Sequence, residues 1–176
     1  MTEPVRLIVI GGFAGSGKST LSLRLGRTLD LPVVDLDVIA HALQKSGDFS
    51  GGPGAFFDLA YALIENFLRN GTSLIFEQNL GREQTWRRLK QICDTIEGVE
   101  FICLILDCPY EVCASRVASR MVPQHRVAVS AEELEMHKFK WEYLTNADIP
   151  GAVRIDGTKS PEAIFHEVIQ LLGDKK

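Results

Sequence analysis

Apolar residues along the chain fall into short continuous runs that are separated by longer segments with helical spacing. The first run, VRLIVI at residues 5–10, is too apolar for a strand with one solvent-facing side, so it predicts a strand that is buried on both faces. Shorter runs predict further strands at residues 33–34, 72–76, 100–106 and 153–155. Leu21, Leu25 and Leu29 recur at helical spacing and predict a helix over Lys18–Leu29.

Other helices are predicted between the strands from the same spacing and from end signals. An amphipathic segment at Ala55–Arg69 has Gly71 just beyond its end, and Ser130 with Glu133 forms the pattern of a capping box at the start of a later helix. The remaining predicted helices cover residues 38–44, 82–96, 107–120 and 161–172. Strands that alternate with helices pair in parallel through right-handed crossovers, which predicts a three-layer α/β/α sandwich.

Polar groups follow four of the predicted strands directly. They are residues 12–19 after the first strand, Asp35 and Asp37 after the second, Glu77 after the third and Asp107 after the fourth. In parallel sheets, ligands bind beyond the carboxyl ends of the strands. We therefore expect these groups to face one crevice.

Composition limits the class of partner and compartment. The 176 residues are 45% hydrophobic and 24% charged with a net charge of −4, which indicates one globular domain over residues 1–176 and disfavours a nucleic-acid partner. No leader-like segment or apolar run of about 18 residues is visible, so no membrane association and a cytoplasmic location are expected. The four cysteines lack metal-ligand spacing and are predicted to be buried, reduced thiols.

The stretch GGFAGSGKST at residues 11–20 satisfies the pattern G-x-x-x-x-G-K-[ST] between a predicted strand and a predicted helix. Glycines allow consecutive backbone N–H groups to face a phosphate chain, and the helix start adds partial positive charge. Lys18 is expected to reach the β- and γ-phosphates, Ser19 to ligate Mg²⁺, and Thr20 to contact the α-phosphate. The predicted cofactors are ATP and Mg²⁺, and the predicted nucleotide-binding residues here are Gly12, Phe13, Ala14, Gly15, Ser16, Gly17, Lys18, Ser19 and Thr20.

Together with LPVVDLD at residues 31–37 and ICLILDCPYEVCASRVASR at 102–120, this stretch resembles the small P-loop kinases. That group includes shikimate kinase, the nucleoside monophosphate kinases, chloramphenicol phosphotransferase and zeta-toxin-like kinases, and the resemblance extends over nearly the whole chain. Within this group, the chain most resembles the AAA-type kinases related to zeta toxins and chloramphenicol phosphotransferase. The resemblance implies a five-stranded parallel sheet in the order 2-3-1-4-5, a small helical lid at about residues 119–131 and an acceptor-binding segment at about residues 38–70.

The same resemblance implies roles for residues outside the phosphate loop. Asp35 would help to hold Mg²⁺, and Asp37 would meet the acceptor hydroxyl as a catalytic residue beside Lys18. Arg116 would stack on the adenine, next to Gly157 and Thr158. Arg120 and Arg126 of the lid would stabilise the transferring phosphoryl group. Asp107 is expected to have a structural or capping role, and Cys108 is expected to be a small loop residue.

The acceptor is predicted from the cationic residues of one segment and from a polar triplet. Between residues 38 and 81 the only cationic side chains are Lys45 and Arg69, which disfavours a strongly anionic acceptor, and the groups expected for shikimate are missing. Glu77, Gln78 and Asn79 resemble the polar triplet that lines the acceptor pocket of the zeta-toxin-related kinases, where Glu77 would accept hydrogen bonds or assist Mg²⁺. Arg82 adds one positive charge. A small molecule with a neutral or mildly charged hydroxyl group is therefore the expected acceptor.

Three function classes fit these motifs. The first is an ATP-dependent phosphotransferase that moves the γ-phosphate to a hydroxyl of a small molecule. The alternatives are a nucleotide-binding regulatory module with weak ATPase activity, and a kinase acting on a nucleotide or on the 5′-hydroxyl of a nucleic acid. A guanine-recognition motif of the N/T-K-x-D type is not found, which disfavours a GTPase. Either a monomer or a homodimer is compatible with the sequence.

Overall fold

The computed structural model describes residues 4–45, 54–119 and 129–173. Within these ranges the chain forms five strands and eight helices. The strands are β1 (Val5–Gly12), β2 (Val33–Asp35), β3 (Leu74–Glu77), β4 (Val99–Asp107) and β5 (Ala152–Asp156). The helices are α1 (Lys18–Leu29), α2 (Leu36–Lys45), α3 (Ala55–Arg69), α4 (Glu83–Asp94), α5 (Tyr110–Ser119), α6 (Ala131–Met136), α7 (Lys138–Asn146) and α8 (Pro161–Gly173).

The five strands form one parallel sheet in the order β2-β3-β1-β4-β5. This result confirms the predicted fold class and the predicted strand order. The predicted third strand at residues 72–76 is shifted, because β3 begins at Leu74 and includes Glu77. The capping box at Ser130 is also present, with both of its reciprocal hydrogen bonds formed.

The sheet is buried on both faces, which explains the unbroken apolar run of β1. Leu7 and Val9 pack with α3 and α4 on one face, whereas Ile8 and Ile10 pack with α1 and α8 on the other. All four side chains are at most 1% exposed. Helices therefore cover both faces and leave the carboxyl ends of the strands as the open edge where a ligand can approach.

None of the helices in the described ranges combines the length and apolar character needed to cross a bilayer.

All four cysteines are free and buried, and burial raises the pKa of the Cys93, Cys103 and Cys113 thiols to about 12. At neutral pH these three thiols are uncharged and inert, as expected for core residues.

Candidate active site

A cavity of about 1460 Å³ opens at the carboxyl ends of the strands. Its lining comes from the phosphate loop, from the ends of β2 and β3, and from helices on both sides of the sheet. Residues 13–20 line it continuously, and Asp35, Asp37 and Glu77 line it as well. The crevice expected from the order of polar groups is thus present.

The phosphate loop joins β1 to α1 in a shape that requires glycine. Gly15 has a φ of 87° and Gly17 a φ of 101°, both in the left-handed region that disfavours other residues. A Cβ at Gly15 would also overlap the carbonyl oxygen of Cys113 in α5. The Lys18 ammonium donates a 3.1 Å hydrogen bond to the Phe13 carbonyl, so it stays over the loop, where the start of α1 supplies partial positive charge.

Glu77 is buried directly behind the start of α1. Its two carboxylate oxygens accept hydrogen bonds from the Ser19 hydroxyl at 2.5 Å and from the Ser22 hydroxyl at 2.7 Å, and the residue is only 3% exposed. The parallel register aligns Glu77 with Ile10 near the end of β1, and this alignment brings the carboxylate to the phosphate loop. Glu77, predicted to contact the acceptor, thus hydrogen-bonds the predicted Mg²⁺ ligand Ser19.

Asp35 and Asp37 have different surroundings although they are two residues apart. Asp35 is 9% exposed, and its Oδ1 accepts hydrogen bonds from the backbone N–H groups of Asp37 at 2.9 Å and Val38 at 3.3 Å. It therefore caps the start of α2. Asp37 lies in the first turn of α2 with its carboxylate exposed to the cavity.

The oxygen groups beside the loop fit Mg²⁺ that arrives with a nucleotide. Asp35 and Glu77 are paired in the register of β2 and β3, and Ser19 contacts Glu77. Carboxylate and hydroxyl oxygens are suitable donors for this ion, which is usually held by one or two carboxylates together with substrate phosphates. Within the described ranges no cluster of three or more His, Cys, Asp or Glu residues forms an all-protein metal site.

Three neutral polar residues, Tyr61, Gln78 and Asn79, also line the cavity. The Gln78 side chain is 3% exposed, and neither its amide nitrogen nor its oxygen has a hydrogen-bond partner in the described part of the chain. Tyr61 faces it: burial raises the pKa of Tyr61, and the Gln78 amide opposes this effect, but no hydrogen bond of good geometry joins the two. Asn79 uses its Oδ1 to accept a 2.9 Å hydrogen bond from the Gly81 N–H.

Three cationic side chains line the same cavity. One comes from α7, one from α4, and one from the residue just before α4. Arg82, Arg88 and Lys140 all line it. Arg82 also lies 5.6 Å from the centre of the Phe139 ring. In the sequence-based prediction of a neutral or mildly charged acceptor, Arg82 was counted as one positive charge, whereas Arg88 and Lys140 lie outside residues 38–81 and were not counted. The charge at this end of the cavity is therefore more positive than the segment alone indicates.

Arg116 connects the phosphate loop to the segment after β5. Its Nη1 donates a 2.8 Å hydrogen bond to the Gly157 carbonyl and a long 3.5 Å bond to the Gly15 carbonyl. Arg116 lines the cavity, whereas Gly12, Gly157 and Thr158 do not. Thr158 instead donates two hydrogen bonds to Asp156, which lower the pKa of that carboxyl.

Asp107 does not face the cavity, contrary to the expectation that all four groups would do so. Its carboxylate pairs with Arg154 at 3.2 Å, and its carbonyl accepts a 2.6 Å hydrogen bond from the Gly157 N–H. The side chain is thus engaged across the β4–β5 edge. Cys108 is buried next to it, and its carbonyl accepts a hydrogen bond from the Trp141 indole.

Two predicted residues and parts of two predicted segments lie outside the described residues. The two residues are Arg120 and Arg126. The segments are most of the predicted lid at 119–131 and positions 46–53 of the acceptor segment. Their assigned roles stay predictions.

The site also contains residues that sequence reasoning missed. Ser22 lies one helical turn after Ser19, so its i,i+3 spacing was a usable signal. Tyr61, Arg88 and Lys140 come from three different helices, and no local pattern links them to the phosphate loop.

Comparisons with known proteins identify a family and a fold. A family model described as AAA domain matches residues 7–143. The sequence matches none of the curated proteins.

Several solved structures have a similar fold. A sugar kinase from Janibacter is 19% identical, with a TM-score of 0.69 and coverage of 97% of this chain and 95% of that one. A gluconokinase from Sinorhizobium meliloti is 19% identical, with a TM-score of 0.66 and coverage of 99% and 94%. A shikimate kinase from Aquifex aeolicus is 22% identical, with a TM-score of 0.58 and coverage of 96% and 97%. The chain belongs to the AAA domain family and has the fold of the P-loop kinase group.

Proposed function

We propose that the protein is an ATP-dependent phosphotransferase that moves the γ-phosphoryl group to a hydroxyl of a small molecule. The observation that carries this proposal is the shared cavity. The phosphate loop and the exposed Asp37 carboxylate line the same space, and the buried Gln78 amide, which has open hydrogen-bonding capacity, lines it as well. A site that only held a nucleotide would not need that second, polar region.

The phosphate loop would hold the triphosphate by its backbone N–H groups and by Lys18. Lys18 now donates to the Phe13 carbonyl, and it would exchange that bond for phosphate oxygens. Ser19, Glu77 and Asp35 would hold Mg²⁺ with its water ligands. When bound, Mg²⁺ neutralises charge on the phosphates.

Asp37 would orient the acceptor. Asp35 fixes the first turn of α2 through two backbone N–H groups, so the Asp37 carboxylate has a defined position at the cavity. In the transfer, the bond between the γ-phosphorus and the oxygen that bridges to the β-phosphate breaks, and a bond to the acceptor oxygen forms. The acceptor's hydroxyl proton passes to Asp37, and ADP leaves with the bridging oxygen.

The names of the similar structures support a small, hydroxylated acceptor. A sugar kinase, a gluconokinase and a shikimate kinase are each named for such a compound. The cavity of about 1460 Å³ has room for a nucleotide and for a second molecule of that size.

The test is MgATP-dependent ADP release against a panel of acceptors, with Asp37→Asn assayed beside the unaltered protein. The panel contains sugars, sugar acids, aminoglycosides, phenicols, nucleosides, nucleoside monophosphates and short oligonucleotides. We expect release that depends on one acceptor class and falls at least about 100-fold in Asp37→Asn, a typical contribution of a general base.

Asp148→Asn is the matched control, because Asp148 is an exposed carboxylate that does not line the cavity. Slow release that is equal in all three proteins and independent of acceptor would contradict the proposal. It would favour a nucleotide-binding module instead.

A further inference from the structure

Three cations at the acceptor end of the cavity are described here as the cation cluster: Arg82 just before α4, Arg88 within α4, and Lys140 of α7. They converge from two separate parts of the chain. Gly81 makes the convergence possible, because a Cβ at that position would overlap the Cβ of Lys140. The loop before α4 and helix α7 are thus in direct contact.

The cation cluster lacks ion pairs, whereas its neighbours have them. On α4, Arg87 pairs with Glu83 and Lys90 pairs with Asp94, and on α7, Lys138 pairs with Glu135. Within the described residues no carboxylate oxygen lies within 4 Å of a nitrogen of Arg82, Arg88 or Lys140. All three side chains line the cavity, and Arg88 also donates a long 3.5 Å hydrogen bond to the neutral Gln91 side chain on α4.

Two members of the cluster, Arg82 and Lys140, influence one another, whereas the Arg88 charge acts on Tyr61. Burial lowers the pKa of Lys140, and the nearby Arg82 guanidinium lowers it further, while Asp37 acts in the opposite direction. Asp58 and Glu133 also line this end of the cavity. Arg82 and Lys140 are thus close together, and Lys140 is partly removed from water, which favours the binding of an anion.

Gln78 is an independent sign that a ligand binds here. Its buried amide lines the same end of the cavity without a hydrogen-bond partner in the described part of the chain. Such buried groups are normally satisfied, and a ligand that enters the cavity would supply the partner that this amide lacks. An amide offers both donors and acceptors, which suits a hydroxyl group.

We propose that the acceptor is a hydroxy compound that also carries a carboxylate or phosphate group, and that Arg82, Arg88 and Lys140 bind this anionic group. The inference rests on the proposed kinase function and specifies its substrate class. Hydroxyl groups of the acceptor contact Gln78, and the hydroxyl that receives the phosphoryl group contacts Asp37. Of two compounds that differ only in this anionic group, the cation cluster favours the one that carries it.

The test uses acceptor pairs that differ in one charged group. Aldonic acids are compared with the alditols in which the carboxylate is replaced by CH₂OH, and nucleoside monophosphates are compared with nucleosides. For each compound, kcat/KM is measured from ADP release with saturating MgATP. The two kinds of pair distinguish a carboxylate from a phosphate as the recognised group.

We expect the anionic member of one pair to have a kcat/KM at least about tenfold above its neutral counterpart, as one or more charge-assisted hydrogen bonds would provide. Arg88→Met and Lys140→Met should remove most of this preference. The controls are Arg87→Met and Lys138→Met, which lie on the same helices, pair with surface carboxylates and do not line the cavity. They should retain the preference.

Two outcomes would overturn the inference. One is turnover of neutral members with no preference for the anionic ones. The other is an equal fall for both members of a pair in Lys140→Met, which would assign Lys140 to the transferring phosphoryl group.

Calorimetric binding of the same pairs, in the presence of Mg²⁺ and a non-hydrolysable ATP analogue, separates this inference from the kinase proposal. Binding of an anionic member that Lys140→Met abolishes, without any ADP release, would support the anion site and count against transfer. If no member of any pair binds, the inference is wrong.

Discussion

At the scale of single residues, Gly15 combines two demands on the phosphate loop. Its backbone is left-handed, and a Cβ would overlap the Cys113 carbonyl. Gly98 has a similar φ of 76° but open space around it. Substitutions at the two positions therefore distinguish the free-energy cost of the left-handed backbone from the free-energy cost of the contact with α5.

We predict that Gly98→Ala lowers the free energy of unfolding by about 1 kcal/mol, the usual cost of a left-handed non-glycine residue. Gly15→Ala should cost roughly 1–3 kcal/mol more and should also weaken MgATP binding, because the loop has to move. Urea unfolding and nucleotide titration measure both effects. Equal losses of stability would show that the contact with Cys113 is not a constraint.

Glu77 provides a second test at this scale. We predict that Glu77→Gln reduces acceptor-dependent turnover at least about tenfold, because the neutral amide makes weaker hydrogen bonds to Ser19 and no longer attracts Mg²⁺. The Mg²⁺ concentration needed for half-maximal turnover should rise. Glu65→Gln is the control, because Glu65 contacts only the Arg69 side chain among the hydrogen bonds of the described residues. An unchanged Mg²⁺ dependence in Glu77→Gln would contradict the assignment.

Secondary structure was predictable where a local signal exists. Helices α1 and α3 have the predicted bounds, because leucine spacing and Gly71 mark them clearly. The predicted bounds of β3 were wrong, because the charged residue Glu77 interrupts the apolar pattern. Glu77 nevertheless belongs to the strand, and two serine hydroxyls donate hydrogen bonds to its buried carboxylate. The division between α6 and α7 at His137 has no glycine or proline to indicate it.

At the scale of elements, Arg154 of β5 fixes the end of α7, the helix that carries Lys140. Its Nη2 donates hydrogen bonds to the Leu144 carbonyl at 2.7 Å and the Ala147 carbonyl at 2.8 Å. The ion pair with Asp107 is partly exposed and adds little.

We predict that Arg154→Met lowers the free energy of unfolding by about 1–2 kcal/mol, since each carbonyl bond contributes about 1 kcal/mol. Arg69→Met should cost less than about 0.5 kcal/mol, because its partner Glu65 lies on an exposed helix face. Urea unfolding of both variants provides the comparison. Equal values would mean that the bonds to α7 do not contribute.

At the scale of the whole molecule, the strand order and the crevice followed from the phosphate-loop motif and from the resemblance to small P-loop kinases. The cation cluster did not, because Arg82 and Lys140 are far apart in sequence and meet only through the packing of Gly81 against α7. The expectation that Asp107 faces the crevice was wrong for the same reason, because its partner Arg154 lies on another strand, and this ion pair agrees with the structural role predicted for Asp107.

Nucleotide binding should stabilise the folded chain as a whole. At roughly 100 times its dissociation constant, MgADP should raise the free energy of unfolding by about 2.7 kcal/mol. We predict that Lys18→Ala loses most of this stabilisation at the same MgADP concentration, because it removes a phosphate contact. Lys90→Ala should keep it, since Lys90 pairs with Asp94 away from the cavity. Equal stabilisation of both variants would contradict the assignment of Lys18.

The most direct test of the central claim is to follow the terminal phosphate itself. The protein is incubated with MgATP labelled at the γ-phosphorus and with the best acceptor from the panel, and the products are separated. The label should appear in a phosphate ester of the acceptor, and Asp37→Asn should greatly reduce that product. Label that appears only as inorganic phosphate, at the same rate with and without acceptor, would show that the site hydrolyses ATP and does not transfer its phosphate.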